Sequence, residues 1–509
     1  MQAANFPKSQ FVASVTMPTT TILGLDIGTT ATKAVLFDLS GHELATAEQP
    51  YPLLTPQPGW VEEDPEAVWQ ALVQAVRSLL AQVGPEVGAS IAALALSAQA
   101  GSLIPVKADG TPTYPIITWM DRRAEKLVNT WRAEGVEPTV RRISGWSLQI
   151  GLPLPFIAWL RRYRPDVFAA TDRFLGINDF LVHRLTGHFC TDYSCGTEML
   201  LADVSSGQWS QELCDLAGIT PARLPELRPS GAVIAPLSAE ASRQTGLPTS
   251  TLVVNGGHDH CCEALAMGIT PGELMLTCGT AWVITGVMER PDLTTLPLSM
   301  DLNFHVAPQR WAPSRFLGGF GATVEWWLNE VWQNAEPQPP LPRADLYAAM
   351  NRALAQTRTG SNNLLFLPVH TAYGGFAGLR LDHSRADMSR AILEGCAFEL
   401  RGALEDMRRA NLPVERLWMA GGATRSPVWT RILADVTGVP LTLTEYAHWS
   451  ALGAAILAGW GAGLFESVEA GQSRLQKPVR PLEPDAGQRP IYDERFAAYQ
   501  ALADTRSGQ

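Results

Sequence analysis

The stretch Leu23-Gly24-Leu25-Asp26-Ile27-Gly28-Thr29-Thr30-Ala31-Thr32-Lys33-Ala34-Val35-Leu36-Phe37 constrains this chain more than any other. Apolar residues alternate into it and lead out again from Lys33 to Phe37, the pattern of two β-strands joined by a tight Gly-Thr-Thr turn. A glycine there lets a ligand approach the backbone, and amides turned into one concavity beside threonine hydroxyls seat an anion such as phosphate. Gly28, Thr29 and Thr30 are the residues in that position. Asp26 cannot hold a phosphate, but it could hold the Mg2+ that travels with a nucleotide, directly or through water. Taken alone, the stretch is explained as well by an ordinary hairpin.

A second stretch, Leu274-Met275-Leu276-Thr277-Cys278-Gly279-Thr280-Ala281-Trp282-Val283-Ile284, repeats strand, Gly-Thr turn and strand in the other half of the chain. Two matched hairpins suggest two lobes of like design, each offering a turn to one nucleotide between them. The pair argues for a bilobal phosphotransferase, with Gly279 and Thr280 as the second phosphate seat.

A chain of 509 residues is ample for two such lobes. The formal net charge of -11 argues against nucleic-acid binding as the main task. Seven cysteines, an odd number without zinc-ligand spacing, fit a reduced cytoplasmic protein, and His258-Asp259-His260-Cys261-Cys262 lacks the further ligands of a metal set. The longest apolar run, Ala451 to Phe465, is too short and too rich in Gly and Ala to span a bilayer, so no membrane partner is expected. Residues 1–18 read as a loose extension, 19–250 as the first lobe and 251–509 as the second.

Along the chain, Asp64 and Pro65 start a helix whose expected buried stripe is Val68, Leu72, Val76, Leu79, Leu80 and Val83, ended by Gly84. Ile91 to Ser97 is a buried strand that delivers Gln99 to its carboxyl end, where α/β sheets place ligands. Trp119 could wall a small-molecule pocket and Asp121 accept hydroxyl hydrogen bonds, or they could be a core tryptophan and a helix cap. Strand Thr251 to Asn255, a sharp turn at Gly256-Gly257 and a helix from Asp259 to Met267 come next. Asp259 is either that helix's N-cap or a carboxylate that takes the proton of a substrate hydroxyl during phosphoryl transfer. Strand Arg416 to Ala420, the turn Gly421-Gly422-Ala423-Thr424-Arg425 and a helix opened by Ser426-Pro427 make a third nucleotide element.

Together these residues resemble the FGGY family of carbohydrate kinases, most of all its xylulokinase branch. Asp26-Ile27-Gly28-Thr29-Thr30 with Lys33 resembles the first phosphate loop, and Thr277-Cys278-Gly279-Thr280 the second. Gly59-Trp60-Val61-Glu62-Glu63-Asp64-Pro65 and Trp119 to Arg123 are similar to two further segments, the latter bordering the sugar. Gly257-His258-Asp259 resembles the Gly-x-Asp of the catalytic base, and Gly374 to Leu379 with Asp387 to Glu394 the carboxyl-terminal signature. Gly421 to Ser426 resembles the adenosine loop. The resemblance implies an α/β, actin-like (ribonuclease H-like) fold of two lobes, each a mixed sheet flanked by helices, closing over ATP and a sugar or polyol. It implies Asp259 as base, Asp26 for Mg2+, and Gln99, Trp119, Asp121 and His260 as sugar contacts. Gly28, Thr29, Thr30, Lys33, Gly279, Thr280, Gly421, Gly422, Ala423 and Ser426 would hold the nucleotide. Homodimers are common in the family.

Three departures bear on the substrate. Gln99-Ala100-Gly101 stands where xylulokinases carry Gln-Met-His-Gly, His260 stands in place of Asn, and Leu367-Pro368 runs almost directly into Gly374. The expectation is phosphorylation of a terminal hydroxyl on a ketopentose such as D-xylulose. The rivals are another ketose, a polyol or a sugar acid and, in a different class, an actin-like ATPase or a ligand sensor.

Overall fold

A computed structural model describes residues 20–290, 292–335, 341–368 and 374–507. The expected N-terminal extension and the segment 369–373 lie outside them. The elements that position the site are strands β1 (Thr21–Ile27), β2 (Ala31–Asp38) and β3 (Glu43–Pro50), helix α1 (Pro65–Ala89), and strands β4 (Ile91–Ala98), β5 (Val233–Pro236) and β6 (Leu252–His258). Helix α2 (Asp259–Met267) and strands β7 (Glu273–Cys278), β8 (Trp282–Gly286), β9 (Asp301–Phe304) and β10 (Trp311–Gly318) follow. The chain continues with α3 (Phe320–Trp327), α4 (Arg343–Leu354), α5 (Arg385–Arg409), β11 (Arg416–Gly421), α6 (Pro427–Thr437), β12 (Leu441–Leu443), α7 (Trp449–Gly461) and β13 (Arg480–Leu482).

Both Gly-Thr hairpins form as the alternation requires. They seed two sheets, ordered β5-β6-β4-β1-β2-β3 and β9-β10-β8-β7-β11-β12-β13. In the first, β1 runs antiparallel to β2 and parallel to β4, which is parallel to β6. In the second, β7 stands in the same relation to β8, β11 and β12. The two lobes therefore share one strand plan, as the repeated hairpin suggests.

The strand plan corrects the expected division after residue 250. Strand β6 pairs with β4 inside the first sheet, so Asp259 is delivered from the first lobe. Strand β5, just before residue 250, also pairs with β6 in that sheet, so no boundary falls there. The second lobe's sheet begins only at β7.

The helices that follow β6 and β12 in the two plans, α2 and α7, pack against each other. Cys261, Cys262 and Leu265 of α2 and Leu452, Ala455 and Ile456 of α7 share one buried cluster with Ile22 and Val35 of the first sheet and Met275 and Ala420 of the second. The run of small residues in α7 permits this. A Cβ on Gly453 would fall against the Cys262 carbonyl oxygen, closer than any real contact. The apolar run from Ala451 is thus an inter-lobe helix. None of the helices among the described residues is long and apolar enough to cross a membrane.

Asp64 caps α1 by accepting from Glu66 N, with Pro65 next, as read from the sequence. Gly84, at φ 78° and ψ 173°, breaks the helix and Pro85 restarts it. Between β4 and β6 the chain builds a largely helical layer around Leu103, Val128, Phe156, Leu160 and Leu213. That layer carries Trp119 and Glu198 to the cleft. All seven cysteines are free and buried.

Candidate active site

Strand β6 does not turn at Gly256-Gly257. It runs on to His258 with a bulge between Val254 and Gly257. The glycines serve close approach: a Cβ on Gly256 would strike the Leu96 carbonyl of β4, and one on Gly257 would strike Val306. Ser194 Oγ accepts from the His258 backbone N–H at 2.9 Å and pins the strand end. Asp259 then opens α2 without capping it, because the cap position is His258. Its Oδ1 accepts from the His260 backbone N–H at 2.7 Å, and the side chain stays 30% exposed, open to the cleft.

His258 stands between two carboxylates. Its Nδ1 lies 2.9 Å from Glu198 Oε1 and its Nε2 lies 2.9 Å from Asp259 Oδ1. Asn303 Nδ2 donates to the same Glu198 oxygen at 3.0 Å. Burial works against the charged imidazole, but Glu198 and Asp259 outweigh it and hold His258 protonated well above the usual histidine range. Burial likewise works against the Asp259 anion, and the histidines beside it prevail, keeping this carboxyl below its ordinary range. Burial keeps His260 less basic than usual.

These groups face a cavity of about 490 Å³. Thr29, Gln99 and Trp119 line it from the first lobe, and Ala281, Val283 and Phe316 from the second. A hydrogen-bonded chain fixes one wall. Trp119 Nε1 donates to Thr29 Oγ1 at 3.3 Å, Thr29 donates to Gln99 Oε1 at 3.0 Å, and Gln99 Nε2 donates to Glu63 Oε1 at 3.2 Å. Burial pushes the Glu63 carboxyl up to about 7, with Gln99 opposing. Trp119 is 45% exposed, a wall of the cleft and not a core residue.

Asp121 is not in that wall. It is buried, its Oδ2 accepts from Val61 N at 2.6 Å, and both its oxygens take N–H groups of Arg123. Arg123 also donates to Glu62 at 2.7 Å and lies over the Trp60 ring, 3.9 Å from its centroid. The expected sugar contact is thus a strut that ties the Gly59–Pro65 segment to the loop carrying Trp119. A carboxylate two residues from an arginine on a tight turn is captured by it before any ligand arrives.

Asp26, one residue before the end of β1, stands opposite Lys33 of β2, with 3.7 Å between Oδ2 and Nζ. Burial pushes its carboxyl up to about 6; Lys33 opposes this and Asp259 adds to it. Glu263, one turn into α2 from Asp259, is raised to about 8 by burial and by Asp259 and Asp26. Asp26 and Glu263 are both raised by burial and by neighbouring carboxylates, against Lys33 in the case of Asp26, and such an acidic donor set fits Mg2+, which Asp26 would hold.

A second cavity of about 730 Å³ lies in the second lobe. Gly279, Thr280, Gly422, Ala423 and Ser426 line it, over the rings of Trp282 and Trp429, whose centroids are 4.9 Å apart. Ser426 caps α6 by accepting from Trp429 N and donates to Asn351 Oδ1 at 2.7 Å. Gly421, at φ +103°, sits against the Cys278 carbonyl, where a Cβ would come within 2.6 Å. A Cβ on Gly422 would meet nothing. The β7–β8 turn divides the two cavities: Gly279 and Thr280 face this one, while Ala281 faces the other. Of the expected nucleotide residues, Thr29 lines the smaller cavity, and Gly28, Thr30, Lys33 and Gly421 line neither.

Sequence reasoning missed the roles of Glu198, Asn303, Glu263 and Phe316. His258 was visible only as the middle residue of Gly-His-Asp. Glu198 and Asn303 come from segments distant in sequence and carry no local pattern, whereas the three-residue step from His260 to Glu263 on one helix face was readable.

The FGGY family of carbohydrate kinases matches twice, by its N-terminal domain over residues 21–266 and by its C-terminal domain over 274–462. The chain is 28% identical to the L-xylulose/3-keto-L-gulonate kinase of Escherichia coli (strain K12), covering 96% of this chain and 97% of that one. It is 27% identical to the gluconokinase of Bacillus subtilis (strain 168), covering 92% and 93%. Among solved structures it is similar to the xylulose kinase from Rhodospirillum rubrum, with a TM-score of 0.87 and 29% identity over 95% of this chain and 98% of the other. The architecture is the two-domain, actin-like ATPase fold of these kinases.

Proposed function

Because the chain belongs to the FGGY family of carbohydrate kinases, we propose that it transfers the terminal phosphate of ATP to a terminal hydroxyl of a small sugar. A ketopentose such as D-xylulose is the substrate favoured by the xylulose kinase likenesses. The observation that carries the reading is the position of the β7–β8 turn. One cavity holds Asp259, the other holds Gly422 just after β11, and Gly279 to Ala281 is the wall they share. A phosphate seated at that turn reaches from one cavity into the other.

In this reading Asp259 accepts the proton of the attacking hydroxyl, and His258 fixes the carboxylate's direction from its Nε2 side. Gly279 and Thr280 seat the phosphates, and Gly422, Ala423 and Ser426 hold the adenosine side over Trp282 and Trp429. Asp26, with Glu263 close by, would hold Mg2+, which when bound neutralises charge on the phosphates. Trp119 and Gln99 orient the sugar from the first lobe, and closure of the lobes excludes water as a competing acceptor. Positioning and charge stabilisation supply most of the rate in such chemistry. The cytoplasm, where ATP and reduced thiols are found, is the compartment this reading assigns.

The test is ADP release with MgATP across ketoses, aldoses, polyols and sugar acids. Strong stimulation by D-xylulose supports the ketopentose reading. Stimulation by another sugar keeps the kinase and changes the substrate, and no stimulation by any sugar favours the ATPase or sensor.

A further inference from the structure

The relatives named above act on both uncharged ketoses and sugar acids, so the charge of the substrate is a real choice for this chain. Three carboxylates line the smaller cavity: Glu198, Asp259 and Asp301. Among the described residues that line it there is no lysine or arginine. The one cation in the lining, His258, is spent between Glu198 and Asp259. Arg141 stands behind Asp301, and its Nη1 lies 3.3 Å from Asp301 Oδ1. The same Nη1 donates to the Met300 carbonyl at 2.6 Å, and Nη2 donates to the Pro297 carbonyl at 3.0 Å. Burial leaves His260 less basic than a free histidine, so it adds no dependable charge at neutral pH.

The hydrogen-bonding chemistry points the same way. A hydroxyl meets Glu198, Asp259 and Asp301 as a donor, whereas a carboxylate only accepts and meets them as a like charge.

We infer that this cavity selects an uncharged polyhydroxy substrate, a ketose or polyol, and rejects the sugar acid of the same carbon skeleton. The inference rests on the kinase reading for its catalytic readout, though not for binding. Selection of this kind works by repulsion as much as by attraction: the acid would surrender its hydration to a site with no free cation.

The experiment compares matched pairs, xylitol with xylonate and glucitol with gluconate, beside D- and L-xylulose. It uses the full chain and reads both ADP release with MgATP and binding by calorimetry. The expected result is kcat/KM for the acid of a pair lower by roughly 100-fold or more than for its neutral partner, with the same order in affinity. Asp301→Asn, which leaves Arg141 without its carboxylate, should narrow the gap by about tenfold through tighter binding of the acid. An acid that matches or exceeds its neutral partner in binding or turnover overturns the inference, as does failure of every neutral compound to bind. Neutral compounds that bind without raising ADP release, while the acids do not bind, would overturn the kinase reading and support the selection.

Discussion

The Nε2 of His258 lies 2.9 Å from a carboxylate oxygen of Asp259, and the opposite ring nitrogen lies the same distance from Glu198. The imidazole therefore bears on the group assigned as base, holding it ionised and aimed. His258→Gln removes the cation. Burial is then opposed by His260 without help from His258, and the Asp259 carboxyl pKa rises. The acid limb of the kcat/KM profile should move to higher pH, and kcat should fall by about 10- to 100-fold with ATP affinity kept. An unmoved acid limb would assign His258 to structure alone.

Trp119 offers its face to the cleft and its N–H to Thr29. Trp119→Ala should raise KM for the sugar by about tenfold or more through lost contact area. Thermal stability should change little, because the ring is 45% exposed. Steady-state kinetics beside a melting curve checks both. A large fall in melting temperature with KM unchanged would return Trp119 to the core.

Gly421 and Gly422 are adjacent, but their surroundings differ. Gly421→Ala places a Cβ 2.6 Å from the Cys278 carbonyl at φ +103°, so it should destabilise the second lobe by about 1–3 kcal/mol. Gly422→Ala meets no protein atom and should leave stability unchanged while weakening ATP binding by about tenfold. Denaturation and nucleotide titration of the two variants separate the effects. Equal loss of stability in both would contradict the assignment.

Burial pushes the Glu63 carboxyl up to about 7, and the hydrogen bond from Gln99 only partly offsets it. A carboxyl raised in the folded state takes up a proton on folding between its ordinary range and about pH 7, so the fold loses stability as pH rises through that window. Glu63→Gln removes this dependence. Relative to the unaltered chain, the variant should gain stability from about pH 5 to about pH 8, by up to ~3 kcal/mol. A pH-independent difference would show that Glu63 is not the titrating group.

The paired Gly-Thr hairpins, the capped helices and the order of the family-like segments were legible because each is local: alternation, a cap, a glycine at a turn. Leu23 to Phe37 and Leu274 to Ile284 fold as their patterns dictate. What the sequence hid was tertiary. The assignment of β6 to the first sheet depends on pairing with a strand more than a hundred residues earlier. Glu198 meets His258 only because the helical layer folds over the strand end. Asp121 shows the converse: its local pattern suggested a ligand contact, and Arg123 claimed both oxygens.

The most direct measurement of the central claim is the product itself. Sugar phosphate formed from MgATP is followed by mass spectrometry for the unaltered chain and for Asp259→Asn, with the neutral sugar that best stimulates ADP release. Stoichiometric sugar phosphate is expected from the first. From the second the expected rate is lower by roughly 100-fold or more, with nucleotide binding retained. Near-normal sugar phosphate from Asp259→Asn would contradict the claim.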